Sequence, residues 1–141
     1  MRYYIIAGEA SGDLHGSNLM KGLKNEDPDA EFRFWGGDKM GAVGGKPMRH
    51  YKDGAVMGIS DVLKKIGKLA GNLTFCKRDI LEWGPDAVIL IDYPGFNMRI
   101  AAFCHGKGIK VFYYIAPKTW ASRENRNRKL KQKRSPTRLL S

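Results

Sequence analysis

Three stretches of the chain, Tyr3 to Ala7, Ala87 to Ile91 and Val111 to Ile115, run apolar without alternation. That is the pattern of strands buried on both faces of a parallel sheet. Phe32 to Trp35, closed by Gly36-Gly37, reads as a further strand, and a short one is expected near Met48 to Tyr51 inside a glycine-rich stretch that also holds a short helix. Between the strands the period changes. Residues 14–26 set Leu19, Met20 and Leu23 on one side of a helix that Asp13 is placed to cap and Asp27-Pro28 to end. From Asp61 onward Val62, Ile66, Leu69, Leu73, Cys76 and Ile80 recur at alternating spacings of four and three, one face of a long helix that stops at Gly84-Pro85. Pro94 opens another, carrying Phe96, Ile100 and Phe103 and closing at Gly106 or Gly108. Strands alternating with helices predict an α/β fold, a Rossmann-like parallel sheet with flanking helices, with Val111 to Ile115 as its last strand.

At 141 residues and 43% hydrophobic content, the chain is expected to form one core over residues 1–117. Residues 118–141 break the pattern: nine basic residues face Glu124 alone, so most of the +11 net charge lies there, and such a run is expected to be solvated or disordered. The tail lacks interleaved aromatics, which argues against nucleic acid. Cys76 and Cys104 have no CxxC spacing and sit within apolar segments, so buried free thiols and a reducing compartment are expected. No apolar run reaches the ~18 residues of a membrane span. His15, His50 and His105 share no ligand spacing, so neither a metal nor another cofactor is expected.

Ligands of open α/β sheets bind beyond the carboxyl ends of the strands. Gly8 to Asp13, Asp92 to Asn97 and Ala116 to Trp120 all follow strands and are expected at that edge. Gly8 and Gly12 permit a tight turn and close backbone approach, and Ser11 offers a hydroxyl. Glu9 would repel a diphosphate, so a sugar hydroxyl is the expected partner. Asp92, held at the end of the apolar strand by the turn before Pro94, is the candidate general base, the alternative being a cap for the helix that follows. Asn97 offers an amide either to a ligand or to the backbone, and Trp120 a ring either to a sugar or to the strand end. Lys64, Lys65, Lys68, Lys77 and Arg78 form the basic side of the long helix, a solvated face or a seat for anionic lipid headgroups.

GEASGD at 8–13, AVMGISDVL at 55–63, PDAVILIDYPGFN at 85–97 and VFYYIAPKTWA at 111–121 closely resemble, in order, the N-terminal region of the lipid-A-disaccharide synthase family. The similarity runs to about residue 129, and the more basic, less apolar sequence that follows departs from it like a frameshift or fragment junction. The resemblance implies the N-terminal half of a GT-B glycosyltransferase working at the cytoplasmic face of the inner membrane. It implies inverting transfer of 2,3-diacylglucosamine from its UDP-sugar to 2,3-diacylglucosamine 1-phosphate. It further implies Asp92 as catalytic base, with Gly8, Glu9, Ser11, Gly12 and Asn97 on the substrate, and Val56 to Leu63 toward acyl chains and membrane. With the family's second, nucleotide-gripping domain missing unless supplied elsewhere, the chain alone is expected to be inactive. The rival reading is a non-catalytic module that binds acylated glucosamine phosphate or an anionic membrane.

Overall fold

The computed structural model describes residues 1–54, 62–114 and 138–140, with side chains for 1–52 and 67–114. Val56 to Asp61, Ala116 to Trp120 and Lys64 and Lys65 as side chains therefore lie outside what is described. In chain order the elements are β1 (Arg2–Ala7), α1 (Ala10–Glu26), β2 (Glu31–Gly36), α2 (Asp38–Val43), β3 (Lys46–His50), a 3-10 turn (Tyr51–Gly54), α3 (Val62–Trp83), β4 (Ala87–Ile91), α4 (Pro94–Gly106), β5 (Val111–Tyr114) and β6 (Arg138–Leu140). All strands pair in parallel, in the order β3-β2-β1-β4-β5-β6.

Alternate residues of the central strands enter opposite cores. Tyr3, Ile5 and Ala7 of β1 join Ala87, Ile89 and Ile91 of β4 and Met20 and Met40 on the face covered by α1 and α2. Tyr4, Ile6, Val88 and Leu90 pack on the other face with Cys76 and Ile80 of α3 and Phe96, Ile100 and Cys104 of α4. Each such aliphatic side chain stabilises the fold by about 1.5–3 kcal/mol on burial. The expected α/β layer is thus found, with helices on both faces.

A polar network ties α3 to the sheet inside the second core. Tyr4 donates its hydroxyl hydrogen to Asp79 Oδ2 at 2.7 Å and accepts from Trp35 Nε1 at 2.8 Å, while Arg33 pairs with the same Asp79. Burial holds the Tyr4 phenol protonated far above its ordinary range. Both cysteines are buried free thiols, as expected.

Two expectations need correction. Asp13 does not cap α1, which begins three residues earlier with Glu9 at its N-cap and no side-chain cap bond. Asp13 lies in the first turn, 4% exposed, and its carboxylate reaches across to accept the backbone N–H groups of Gly37, Lys39 and Met40. It therefore caps α2, a helix 24 or more residues away, and satisfies donors that the helix start leaves without partners. Gly37 allows this approach, since a Cβ there would stand 2.7 Å from Asp13 Oδ2. The second correction concerns the tail: Arg138–Leu140 forms β6, aligned as Phe112↔Arg138, Tyr113↔Leu139 and Tyr114↔Leu140, so β5 is not the last strand. The backbone edge of β5 offers a ladder, and Leu139-Leu140 is the apolar pair in the tail able to use it.

Replacing Asp13 by Ala is expected to destabilise the chain by about 2–3 kcal/mol in urea denaturation, because buried N–H groups lose their acceptor. The thiols give a second expectation. Unfolded thiols lose their protons near pH ~8.5, whereas burial pushes Cys104 up to about 12 and Cys76 higher still. Between those limits the unfolded chain binds fewer protons than the folded one, so stability falls as pH rises above ~9. Denaturation midpoints at pH 8 and pH 10 should show the drop, and a thiol reagent should label neither cysteine at pH 8 until the chain is unfolded.

Candidate functional site

The sheet order places the topological switch point between β1 and β4, whose connections leave in opposite directions toward β2 and β5. The loops after these two strands therefore flank a crevice at their carboxyl ends. Two of the three segments expected there, Gly8 to Asp13 and Asp92 to Asn97, meet at this point. The third lies outside the described residues.

Asp92 and Tyr93 follow β4 in consecutive left-handed conformations, with φ of 44° and 49°. They are the non-glycine residues with positive φ among the described residues. Each such position costs about 1–3 kcal/mol and persists only where surroundings over-determine it. The surroundings here are explicit. The Asp92 N–H donates to the Tyr114 carbonyl at 3.0 Å, and the Asp92 carbonyl accepts the Tyr113 hydroxyl at 2.9 Å and Asn97 Nδ2 at 2.9 Å. Asp92 itself is 1% exposed.

Asn97 is fully buried, and its amide nitrogen also lies 3.3 Å from the Ile6 carbonyl and 3.4 Å from that of Ile91. Its Oδ1 is buried with no hydrogen-bond partner among the described residues, while its donor serves the ends of β1 and β4. This is the backbone alternative that its place in a first helical turn allows.

Tyr93 closes the crevice from the β4 side. Its ring stacks on Phe96 with centroids 5.4 Å apart and lies so close to Gly8 that a Cβ there would fall 2.3 Å from Tyr93 Cγ. Burial raises the Tyr93 phenol above its ordinary range. Gly12 is buried against Ala7, with room for a Cβ only at 3.0 Å, while Ser11 is half-buried and Glu9 exposed at the head of α1. Of the two carboxylates in the loop, only that of Glu9 is open to solvent.

Sequence reasoning missed the other wall of this site. A cavity of about 70 Å³ opens beside Gly8 and Tyr93, lined further by Arg49, His50, Lys68 and Asn72. Arg49 and His50 come from the end of β3 and Lys68 and Asn72 from α3. Lys68 belongs to the basic side of the long helix, so one sequence signal for this wall existed. Another member of that basic set, Lys77, lies with Nζ 5.6 Å from the Phe103 ring centroid, on α4.

The description "lipid-A-disaccharide synthetase" belongs to the family model that matches residues 3–135. This chain belongs to that family. Similar proteins include the lipid-A-disaccharide synthases of Trichlorobacter lovleyi, 41% identical over 93% of this chain, and Geobacter metallireducens, 44% identical over 92%. The chain spans about a third of the length of these curated relatives, 34% of each. Among solved structures, the UDP-GlcNAc 2-epimerase of Neisseria meningitidis bound to UDP-GlcNAc matches with a TM-score of 0.57 at 10% identity, over 86% of this chain and 35% of that one. A putative UDP-N-acetylglucosamine 2-epimerase of Listeria monocytogenes gives 0.58 at 12%, over 80% and 30%. At that identity the likeness is one of fold, and it supports the family's GT-B architecture for this layer. Among the described residues no helix is long and apolar enough to cross a membrane.

The contact between Gly8 and Tyr93 is open to test. Gly8→Ala should destabilise the chain by about 1–3 kcal/mol, the usual cost of overpacking, and Tyr93→Ala in the same chain should recover most of that loss. A double-mutant cycle by urea denaturation measures the coupling.

Proposed function

We propose that this chain is the acceptor-side lobe of a lipid-A-disaccharide synthase, acting with a second Rossmann-like domain that grips the UDP of the donor. The reaction is transfer of 2,3-diacylglucosamine from its UDP-sugar to the 6-hydroxyl of 2,3-diacylglucosamine 1-phosphate, at the cytoplasmic face of the inner membrane. Asp92 takes the hydroxyl proton as the oxygen attacks the anomeric carbon; the new C–O bond forms as the bond to the UDP phosphate breaks on the opposite face, which inverts the centre. Glu9 and Ser11 accept and donate hydrogen bonds to acceptor hydroxyls from the head of α1, with Gly8 and Gly12 keeping that loop close to the sugar.

The observation that carries this reading is the tandem left-handed turn at Asp92 and Tyr93 on the switch point of the sheet. Backbone strain held by three separate hydrogen bonds is expensive for a turn that only connects a strand to a helix, and such strain clusters at functional sites. The Asp92 carboxylate is covered in this structure, and the acceptor has to draw it into reach. Catalytic hydrogen bonds of general bases commonly tighten only in the substrate complex.

A fusion of residues 1–129 of this chain to the C-terminal two thirds of the Geobacter metallireducens relative tests it. The fusion is expected to make disaccharide from UDP-diacylglucosamine and acceptor. Asp92→Asn should lower turnover by ~100-fold or more, the scale of general-base loss, with acceptor affinity little changed. Near-normal turnover in that variant would remove Asp92 from the role. Glu9→Ala should weaken acceptor binding by roughly tenfold, as loss of one hydrogen bond to a charged group does, and leave UDP binding intact by calorimetry.

A further inference from the structure

Tyr93 stands beside the candidate base in a conformation that a helix start does not require. It takes the N-cap position of α4 with left-handed backbone, makes no side-chain cap bond there, and follows an Asp92 that is left-handed as well. Glycine reaches that conformation without strain, yet the position carries an aromatic side chain.

The ring is not core. Phe96 and Ile100 on the same helix are 2% and 0% exposed, whereas Tyr93 is 36% exposed. Two neighbours nevertheless pin it. Phe96 stacks on it at 5.4 Å between centroids and 17° between planes, and Gly8 crowds the ring carbons nearest the backbone, where a Cβ would meet Cγ, Cδ1 and Cδ2 at 2.3 to 2.6 Å. The hydroxyls of Tyr4 and Tyr113 are bonded inside the protein, to Asp79 and to the Asp92 carbonyl. That of Tyr93 makes no hydrogen bond among the described residues. Tyr51 and Tyr114 share that lack, but on backbone that is not left-handed. A pinned aromatic ring with an open polar end presents one hydrogen-bonding group at a fixed place, and its two side-chain torsions are ordered before any ligand arrives. A phenol is protonated at neutral pH, its ordinary pKa being about 10, so it both donates and accepts, as a sugar hydroxyl does.

We propose that Tyr93 is a substrate-contacting residue of this site: its hydroxyl hydrogen-bonds a hydroxyl of the acceptor sugar and aligns that sugar with the neighbouring Asp92. That the sugar is the acceptor rests on the transferase reading given above; the contact with a sugar hydroxyl does not. The arrangement gives the strained turn a use. One rigid pair of residues carries both the base and the group that aligns what it deprotonates, so the distance between them does not vary with motion of the loop. Gly8 belongs to the same device, since a side chain there would displace the ring.

Two measurements test the contact. The 141-residue chain, labelled with fluorotyrosine, is titrated with glucosamine 1-phosphate, the Tyr93 fluorine signal being identified by its loss in Tyr93→Phe. That signal is expected to shift and to saturate, while the signal of Tyr3, at the opposite end of β1, stays in place. A Tyr93 signal that does not move would overturn the contact. In the fusion, Tyr93→Phe keeps the ring, and it is expected to raise the acceptor KM about fivefold, the loss of one neutral hydrogen bond, with kcat, donor KM and the pH dependence of turnover little changed. Tyr3→Phe should alter none of these. An acceptor KM unmoved by Tyr93→Phe would remove the contact and keep the enzyme. A loss confined to kcat would overturn the aligning role, and an equal rise in donor KM would overturn the assignment to the acceptor. A saturating Tyr93 shift in a chain whose fusion is inactive would keep the contact with a sugar and remove the enzyme.

Discussion

The side-chain amide of Asn97 is the contact on which the arrangement of the site depends. β1 and β4 end side by side, and one buried amide nitrogen lies within reach of the carbonyls of Ile6, Ile91 and Asp92. A buried carbonyl without a donor costs about 1–3 kcal/mol, and this amide has two hydrogens to share among the three, of which the Asp92 carbonyl also accepts the Tyr113 hydroxyl. Because α4 supplies the amide from its first turn, the same contact sets where that helix begins. The left-handed pair at Asp92 and Tyr93 is the backbone path that joins a strand end and a helix start fixed this close together.

From that path the rest of the crevice follows by sterics and charge. Left-handed Tyr93 carries its ring back over Gly8, where no side chain could stand, and onto Phe96 beneath. The ring therefore separates two environments. On the α1 and β4 side are the open carboxylate of Glu9 and the covered one of Asp92. On the β3 and α3 side are Arg49, braced on Phe75, and Lys68. Asp13 is turned away from the crevice, because its carboxylate accepts three backbone N–H groups at the start of α2. The loop that carries two carboxylates in sequence thus leaves one, that of Glu9, open to solvent.

Much of the fold was legible because burial on both faces of a parallel strand leaves no room for polar residues. Ala87 to Ile91 is buried at every position, and the spacing of Val62 through Ile80 matches α3, which spans Val62–Trp83. Asp92 stood out for the same reason, as the first polar residue after an apolar strand. What stayed hidden involves partners far apart in sequence. Asp13 looked like a local cap because capping preference is a statement about neighbours, and its actual partners are 24 to 27 residues on. Asn97 was readable as either ligand contact or backbone partner, and its amide contact with the Ile6 carbonyl, 91 residues away in sequence, became visible only once β1 and β4 lay side by side. Arg49 carried no signal, since a lone arginine in a glycine-rich stretch is unremarkable until Phe75 is placed beneath it.

The short β6 shows how little sequence an edge needs when the template is already built. Three residues pair with β5 through backbone groups that any sequence supplies, so the preceding basic run did not prevent it. The pairing also bears on the site, for Tyr113 and Tyr114, the residues it borders, are those whose hydroxyl and carbonyl hold Asp92. A ladder on the outer edge of β5 restrains the strand from the side opposite β4. The strained turn is therefore braced from both directions, by Asn97 on α4 and by a β5 that has neighbours on each side, and that double bracing is what allows an aspartate rather than a glycine to occupy a left-handed position at the head of the crevice.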